Sequence, residues 1–372
     1  MPVYYPIIKK VTVIGGGGSM EGFHMVRFYN DDRTTLLYTV FVSTGASAMY
    51  VGETPVSTED TARIHAGFEP SPVNVTEDMD CYAIYEAVTS LKETPWSVIS
   101  NLSENGEAQN YFAVGDTKMI HVKGQVGTCY VDYDYGVYIL GFDHNEELEG
   151  KGIHFGTFKS AVSNGVDLCL ADSNYNKVSS DGTKYFNLNH WGSVNYGGWA
   201  GCDMRYDVLG STDHAPSDYG ATPASGRTGY DASATCAISP VANTLMAALP
   251  ADLRAVMKPM TKYTDNTAGQ NNTAAAVTAT VDYLPLLSEF EIFGTRKNAN
   301  QYEQDKQKQY AYFAAGNSKN KYCHSNPATA AYWWGRSANY NANAYFCFVS
   351  DKGVCTIGSA GGASGLAPIF KV

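Results

Sequence analysis

The chain has 372 residues, a formal charge of −11 at pH 7 and only 17% charged side chains, against the roughly 25% of an ordinary soluble domain. Its 44% apolar content, with 13% aromatics, is enough burial to offset the entropy of ordering and excludes a disordered chain. The negative balance argues against a nucleic-acid binder, whose surface must be positive to displace counterions from phosphates.

Residues 7–14 read as one short strand, an anchor, and Gly15 to Gly18 with Ser19 read as a flexible hinge. Lys9 and Lys10 interrupt two short apolar pieces, which is not the basic-then-apolar order of a secretory signal. No run approaches 18 apolar residues, so membrane insertion is not expected.

From residue 20 to 88 the pattern is short strands, expected at 25–29, 36–42, 48–51 and 81–86, with Asn30-Asp31-Asp32 turning the chain. Thr94 and Pro95 then open a helix carrying Trp96, Ile99 and Leu102 on one face, which Asn105-Gly106 ends. Strands follow at 117–122 and 128–142. A helical pair is expected at 241–248 and 250–258, with Leu245, Leu249, Leu253, Val256 and Met260 as its core face. A polar helix is expected at 301–312. Stretches 213–235 and 264–278, rich in Gly, Ser, Thr, Asn and Ala, read as long loops of the kind that carry function. The last strands are expected at 331–334, 344–349, 353–357 and 366–370.

Eight cysteines are scattered with no Cys-x-x-Cys pair, so they read as small buried hydrophobes rather than a zinc ribbon or redox motif. Cys347 and Cys355 are the pair to expect if a disulfide exists. Phosphate-binding glycine loops, a Gly-x-Ser-x-Gly elbow and a His-Glu-x-x-His pattern are missing from the sequence. Asp132 and Asp134 alternate along a strand and read as solvated carboxylates before a cation site. Adjacent Trp333 and Trp334 on a strand should face opposite sides, one into the core. Arg336 should pair with a buried carboxylate or carbonyl. The expectation is therefore a non-enzymatic chain with no cofactor and no metal.

Two segments resemble known families. Residues 26–37 (VRFYNDDRTTLL), Tyr50 with Pro55, 67–70 (GFEP) and 78–83 (DMDCYA) resemble the internalin-type B-repeat, the Listeria–Bacteroides repeat. That family is a small β-grasp-like module of surface proteins, and Phe68 stands where it usually carries Trp. Residues 95–372 resemble a lectin-like domain of unknown function from phage and gut-bacterial proteins. The matching motifs are 95–100 (PWSVIS), 114–118 (VGDTK), 197–206 (GGWAGCDMRY), 245–250 (LMAALP), 332–337 (YWWGRS), 349–353 (VSDKG) and 365–370 (GLAPIF).

The second resemblance implies a C-type-lectin-like fold, related to the formylglycine-generating enzyme and used by the variable proteins of diversity-generating retroelements. In those proteins the late strands and loops display the ligand-binding face. Residues 338–345 (ANYNANAY) and 356–360 (TIGSA) show the residue spectrum that adenine-directed mutagenesis of Asn codons produces. Glu-Pro-Asn and Gln-Pro-Asp, which hold calcium-dependent sugars in C-type lectins, do not occur in the sequence.

Taken together, these readings lead to an α+β chain in three parts: an anchor strand and hinge (1–19), a β-grasp-like module (20–88) and a lectin-like domain (89–372). The expected ligand-binding residues are Trp333, Asn339, Tyr340, Asn341, Asn343, Tyr345, Thr356, Ile357 and Ser359. The expected role is a phage virion protein, an adhesin or head decoration, that binds a host-surface glycan or protein. The anchor would meet other virion proteins and the assembly would be a homo-oligomer. The rival expectations are a bacterial cell-surface adhesin and, behind it, an enzyme of the formylglycine-generating fold.

Overall fold

Alternation of inward and outward residues builds the first sheet. A computed structural model describes residues 22–372 except 61, 128, 161–165, 172–185, 190–193, 213–235, 268 and 270–271. The expected anchor strand, the glycine hinge and the loop at 213–235 lie outside the described residues. The chain is α+β and divides into two compact units, Met1–Leu102 and Ser103–Val372. That division falls inside a helix rather than at the expected 88/89 boundary.

In the first unit, β1 (Phe23–Tyr29), β2 (Leu36–Ser43), β3 (Arg63–Glu69) and β4 (Met79–Ala87) form one sheet in the order β2-β1-β4-β3. β1 pairs antiparallel with β2 and parallel with β4. Val26, Phe28 and Cys81 point inward and pack with Ala48, Val75, Tyr38, Tyr50 and Phe68. The Phe68 ring lies 4.8 Å from that of Phe28 and 5.0 Å from that of Tyr50, so it serves as an aromatic anchor of this core. Residues 48–51, expected as a strand, form no ladder; Ala48 and Tyr50 reach the core from a loop. The strand that sequence alternation missed is β3, whose register slips between His65 and Gly67.

The helix expected behind Pro95 is α1 (Trp96–Glu104). In the second unit there follow β5 (Thr117–Val126), β6 (Cys129–Phe142), α2 (Glu146–Glu149), β7 (Ile153–Ser160), β8 (Leu168–Cys169), α3 (Gly198–Gly201), α4 (Leu245–Ala248) and α5 (Ala251–Arg254). Then come β9 (Met260–Asp265), β10 (Val277–Asp282), α6 (Glu289–Phe293), α7 (Ala311–Ala314), β11 (Lys321–Cys323), β12 (Asn326–Ala331), β13 (Trp333–Ala338), β14 (Tyr345–Val349), β15 (Cys355–Ser359) and β16 (Ile369–Lys371). An antiparallel sheet runs β16-β7-β6-β5, and smaller sheets run β12-β11-β8, β13-β14-β15 and β10-β9. Among the described residues, no helix is long and apolar enough to cross a membrane.

Several expected helices are shorter than their periodicity suggests. The pair at 241–258 is two single turns, α4 and α5, because Pro250 has no amide hydrogen to carry the ladder across. Met260 lies on β9. Residues 301–312 split into a 3-10 turn, Gln301–Lys306, and α7. The expected loop at 264–278 contributes Thr264 and Asp265 to β9 and Val277 and Thr278 to its partner β10. Seven of the eight cysteines are buried, as read from the sequence.

A buried ionic network joins these elements. Arg336 on β13 donates Nη1 and Nη2 to the Glu291 carboxylate of α6 at 2.5 and 3.1 Å, and its Nε to Thr264 Oγ1 of β9 at 2.9 Å. Lys262 of β9 donates to Glu291 Oε1 (2.9 Å), Glu149 Oε2 of α2 (2.6 Å) and Tyr310 Oη (3.1 Å). Arg336, Lys262, Glu291 and Glu149 are at most 6% exposed. Burial works against the Glu291 carboxylate, but Arg336 and Lys262 outweigh it and hold its pKa below the ordinary value. Removing one partner strands a desolvated charge, so Glu291→Gln or Arg336→Met should each cost about 3–5 kcal/mol in denaturant unfolding.

Beside this network His144 stacks on Tyr310 with ring centroids 3.6 Å apart. Burial, reinforced by Lys262, pushes His144 down to about 3, and burial likewise depresses His154. Both rings bind protons more readily when unfolded. Their contribution is therefore complete above their ordinary value of 6.5 and is lost as the pH falls, at up to about 1.4 kcal/mol per pH unit for each ring. Glu303 opposes this slope: burial raises it to about 7, so its contribution is complete below 4.5 and is lost as the pH rises through 7. Glu149, which burial also raises, adds to that opposition, so the ring is read as a difference between proteins: as the pH falls from 6.5 to 4, the unfolding midpoint of His144→Gln should drop less, or rise more, than that of the unaltered chain.

Candidate functional site

All nine expected binding residues sit on β13, β14, β15 and the loop between the first two. Opposed residues of an antiparallel pair share a face. Tyr345 opposes Ser359, Cys347 opposes Ile357, and Val349 opposes Cys355, whereas Phe346 opposes Gly358 and Phe348 opposes Thr356. Tyr345, Ile357 and Ser359 thus lie together on one face, and Thr356 lies on the other. That other face is tightly filled: a Cβ on Gly358 would come within 2.0 Å of the Phe348 ring.

Trp333, expected on the binding face, is instead interior. It is 0% exposed, packs in the main core, and donates Nε1 to Lys319 O at 3.0 Å. Trp334 is also inside, with Nε1 donating to Phe186 O at 2.7 Å. Both tryptophans are buried because β13 is covered on both faces along its whole length, which alternation along one strand does not reveal.

The loop 339–345 is ordered by buried amides. Asn195, 0% exposed, donates Nδ2 to the carbonyls of Ala342 and Tyr345 at 2.9 Å each and to that of Asn339 at 3.5 Å. Its own backbone amide donates to Asn343 O at 2.8 Å. Asn339 is likewise structural rather than displayed: buried, it accepts Asn341 N at 3.0 Å and donates Nδ2 to Asn298 O at 3.4 Å. Tyr340 is half-buried, with the Arg296 guanidinium 4.1 Å from its ring centroid. Asn341, Asn343 and Tyr345 are exposed, while Thr356, Ile357 and Ser359 are half-buried. Asn343 Nδ2 reaches the exposed Tyr196 at 3.4 Å.

Sequence reasoning missed Asn195, Tyr196, Arg296 and Asn298. The first two directly precede the glycine-tryptophan motif at 197–199, but nothing local shows that they meet a loop some 145 positions later. Asn195→Ala would leave the loop carbonyls without their donor, at about 1–3 kcal/mol. Hydrogen exchange should then accelerate at residues 340–345 while β5 and β6 stay protected.

The face that Tyr345, Ile357 and Ser359 share also carries Cys347 and Cys355, and there Glu289 of α6 forms a second cluster. The Ser288 and Glu291 capping box starts the helix. The Glu289 carboxylate turns back to accept the backbone amides of Lys297 (2.7 Å), Asn298 (2.9 and 3.1 Å) and Ala299 (2.6 Å). Cys355 Sγ lies 2.9 Å from Glu289 Oε1, and Cys347 Sγ lies 3.9 Å from Oε2. Burial pushes the Cys347 thiol up. Glu289, Cys355, Lys297, Phe293, Thr295 and Val354 line an open pocket of about 250 Å³. Cys347 and Cys355 are thiols, and each opposes a different residue of its partner strand.

Donor atoms of Glu289, Cys347 and Cys355 all lie within 4.8 Å of one another. His144, Glu149 and Glu291 make a second such group, but there the Lys262 ammonium already bonds both carboxylates. Asp132 and Asp134 are strand-face carboxylates already in contact with basic side chains: His121 reaches them at 3.1 and 2.8 Å, and Lys123 reaches Asp132 at 2.8 Å.

The sequence of this second unit matches a known family. A family described as Domain of unknown function (DUF6273) matches residues 179–372, just over half of the chain. The chain belongs to the DUF6273 family. The DUF6273 span carries Asn195, α6, the loop 339–345 and β13 to β15. Its last strand, β16, pairs with β7, which precedes the span. No curated protein and no solved structure matches the chain.

Proposed function

We propose that this DUF6273 protein is a non-enzymatic attachment protein of a phage virion, and that it binds a host-surface glycan or protein through loop 339–345 and the adjoining face of β14 and β15. The observation that carries this reading is the locked loop. Asn195 fixes its carbonyls from within, while Asn341, Asn343 and Tyr345 turn outward beside Tyr196. A surface of asparagine and tyrosine held rigid in advance loses little entropy on binding. The resemblance to lectin-like variable proteins implies a ligand-binding face in this same part of the chain and supports the reading.

The first unit fits a spacer of the B-repeat kind. Its sheet order β2-β1-β4-β3, with a parallel central pair, and the Phe68 anchor agree with a β-grasp-like module. Several copies on one particle would add avidity to weak single contacts, in keeping with a homo-oligomer. A bacterial cell-surface adhesin would use the same face; the two readings differ only in the particle that carries the chain.

The full chain should bind intact bacterial cells or members of a panel of immobilised bacterial surface polysaccharides. The triple replacement Asn341→Ala, Asn343→Ala, Tyr345→Ala should remove that binding with an unchanged unfolding midpoint. Antibody to the chain should label purified virions. Undiminished binding by the triple variant overturns the assignment of the face, and label confined to bacterial cell walls overturns the virion.

A further inference from the structure

Two thiols and a carboxylate meet beneath the hairpin in a way that packing alone does not require. A buried cysteine normally fills space as a small hydrophobe. Here Cys347 and Cys355, from adjacent strands, both turn to the carboxylate of Glu289, which is itself only 2% exposed. The three donor atoms lie within 4.8 Å of one another. Around a tetrahedral ion with metal–sulfur bonds of about 2.3 Å, two sulfurs sit ~3.7 Å apart, so a closure of at most about 1 Å brings the set to coordination distance.

The surroundings add what a metal centre needs. The carboxylate is held by the amides of Lys297, Asn298 and Ala299, and Asn298 Nδ2 donates to Cys355 Sγ at 3.3 Å. Such outer contacts orient ligands and tune their donor strength. One side of the cluster opens into the pocket at Cys355, which leaves room for a fourth ligand from solvent. Register argues for a bridging ion over a disulfide. Cys347 opposes Ile357 and Cys355 opposes Val349, and such diagonal positions lie farther apart than the close Cβ approach a disulfide wants.

We propose that Glu289, Cys347 and Cys355 form a binding site for a thiophilic divalent cation of the zinc class, with its fourth position open to the pocket. Two sulfurs exclude magnesium and calcium, which take oxygen ligands. On binding, the metal forms two bonds to sulfur and one to a carboxylate oxygen. Both S–H bonds break and two protons leave to solvent, with no change of oxidation state. Two thiolates and one carboxylate on a dication leave one negative charge, beside the Lys297 ammonium that donates to Cys355 O at 3.2 Å. The proposal does not rest on the attachment role, and the ion would tie α6 to the face of β14 and β15 that carries Tyr345, Ile357 and Ser359.

The full chain, reduced and freed of metal, is titrated with Zn²⁺ and with Co²⁺ as a spectroscopic probe. The expected results are about one bound equivalent, a thiolate-to-cobalt charge-transfer band in the near ultraviolet, and loss of that band in Cys355→Ser. Asn298→Ala should weaken Zn²⁺ binding about 10–100-fold. In the unaltered protein Zn²⁺ should slow alkylation of Cys355 by iodoacetamide, mapped by mass spectrometry, and leave Cys129 unaffected; this arm does not depend on any variant folding. Equal alkylation of Cys355 with and without Zn²⁺, or a charge-transfer band that persists in Cys355→Ser, overturns the proposal.

Discussion

The second unit depends on the desolvated carboxylate of Glu291. Its two oxygens bond Arg336 and Lys262, and Oε2 also accepts the Ser288 amide that closes the capping box of α6. A buried ion pair is a poor source of net stability, because desolvation offsets much of the attraction. What this one supplies is position. Only one placement of α6 against β9 and β13 serves both oxygens and both cations, and through Glu149 and Tyr310 the same constraint reaches α2 and the start of α7. Loops 294–300 and 339–345, which build the candidate site, leave directly from α6 and β13.

Charge is scarce in this chain, at 17% of residues, and its placement is uneven. Many of the charged groups that the second unit does carry are inside it. Arg205 and Asp282 pair at 2.7 Å, with Trp199 and Ser211 completing the carboxylate. Lys321 donates to the carbonyls of Thr157 and Leu168 at 2.8 and 3.2 Å. Charge is spent on orientation in the interior, and at the candidate face polarity comes from Asn, Ser, Thr and Tyr. The same division separates the asparagines of the site: Asn195 and Asn339 are interior struts, while Asn341 and Asn343 are display.

Much of the fold was legible where a signal is local. Val26 and Phe28 alternate into the first core, Pro95 opens α1, and Arg336 in its strand of bulky residues announces a buried partner. Legibility failed where a neighbour from far along the chain decides the outcome. Residues 250–258 carry helical spacing, yet the helix stops after one turn and Met260 enters a strand. Residues 264–278 read as a loop by composition, yet their ends pair as β9 and β10.

The sequence by itself determined the α+β class, the aromatic core of the first unit, the burial of all the cysteines but Cys129 and the segment in which an Asn- and Tyr-rich surface would lie. Tertiary structure alone decided which of those residues face out. It buried Trp333 and Asn339, placed Thr356 on the opposite face from Ile357 and Ser359, brought Asn195 beneath the loop and turned Cys347 and Cys355 onto Glu289. The physical reason is that periodicity describes the two sides of one element. Whether the second side meets water or another element depends on contacts between segments far apart in sequence, and no local pattern records those.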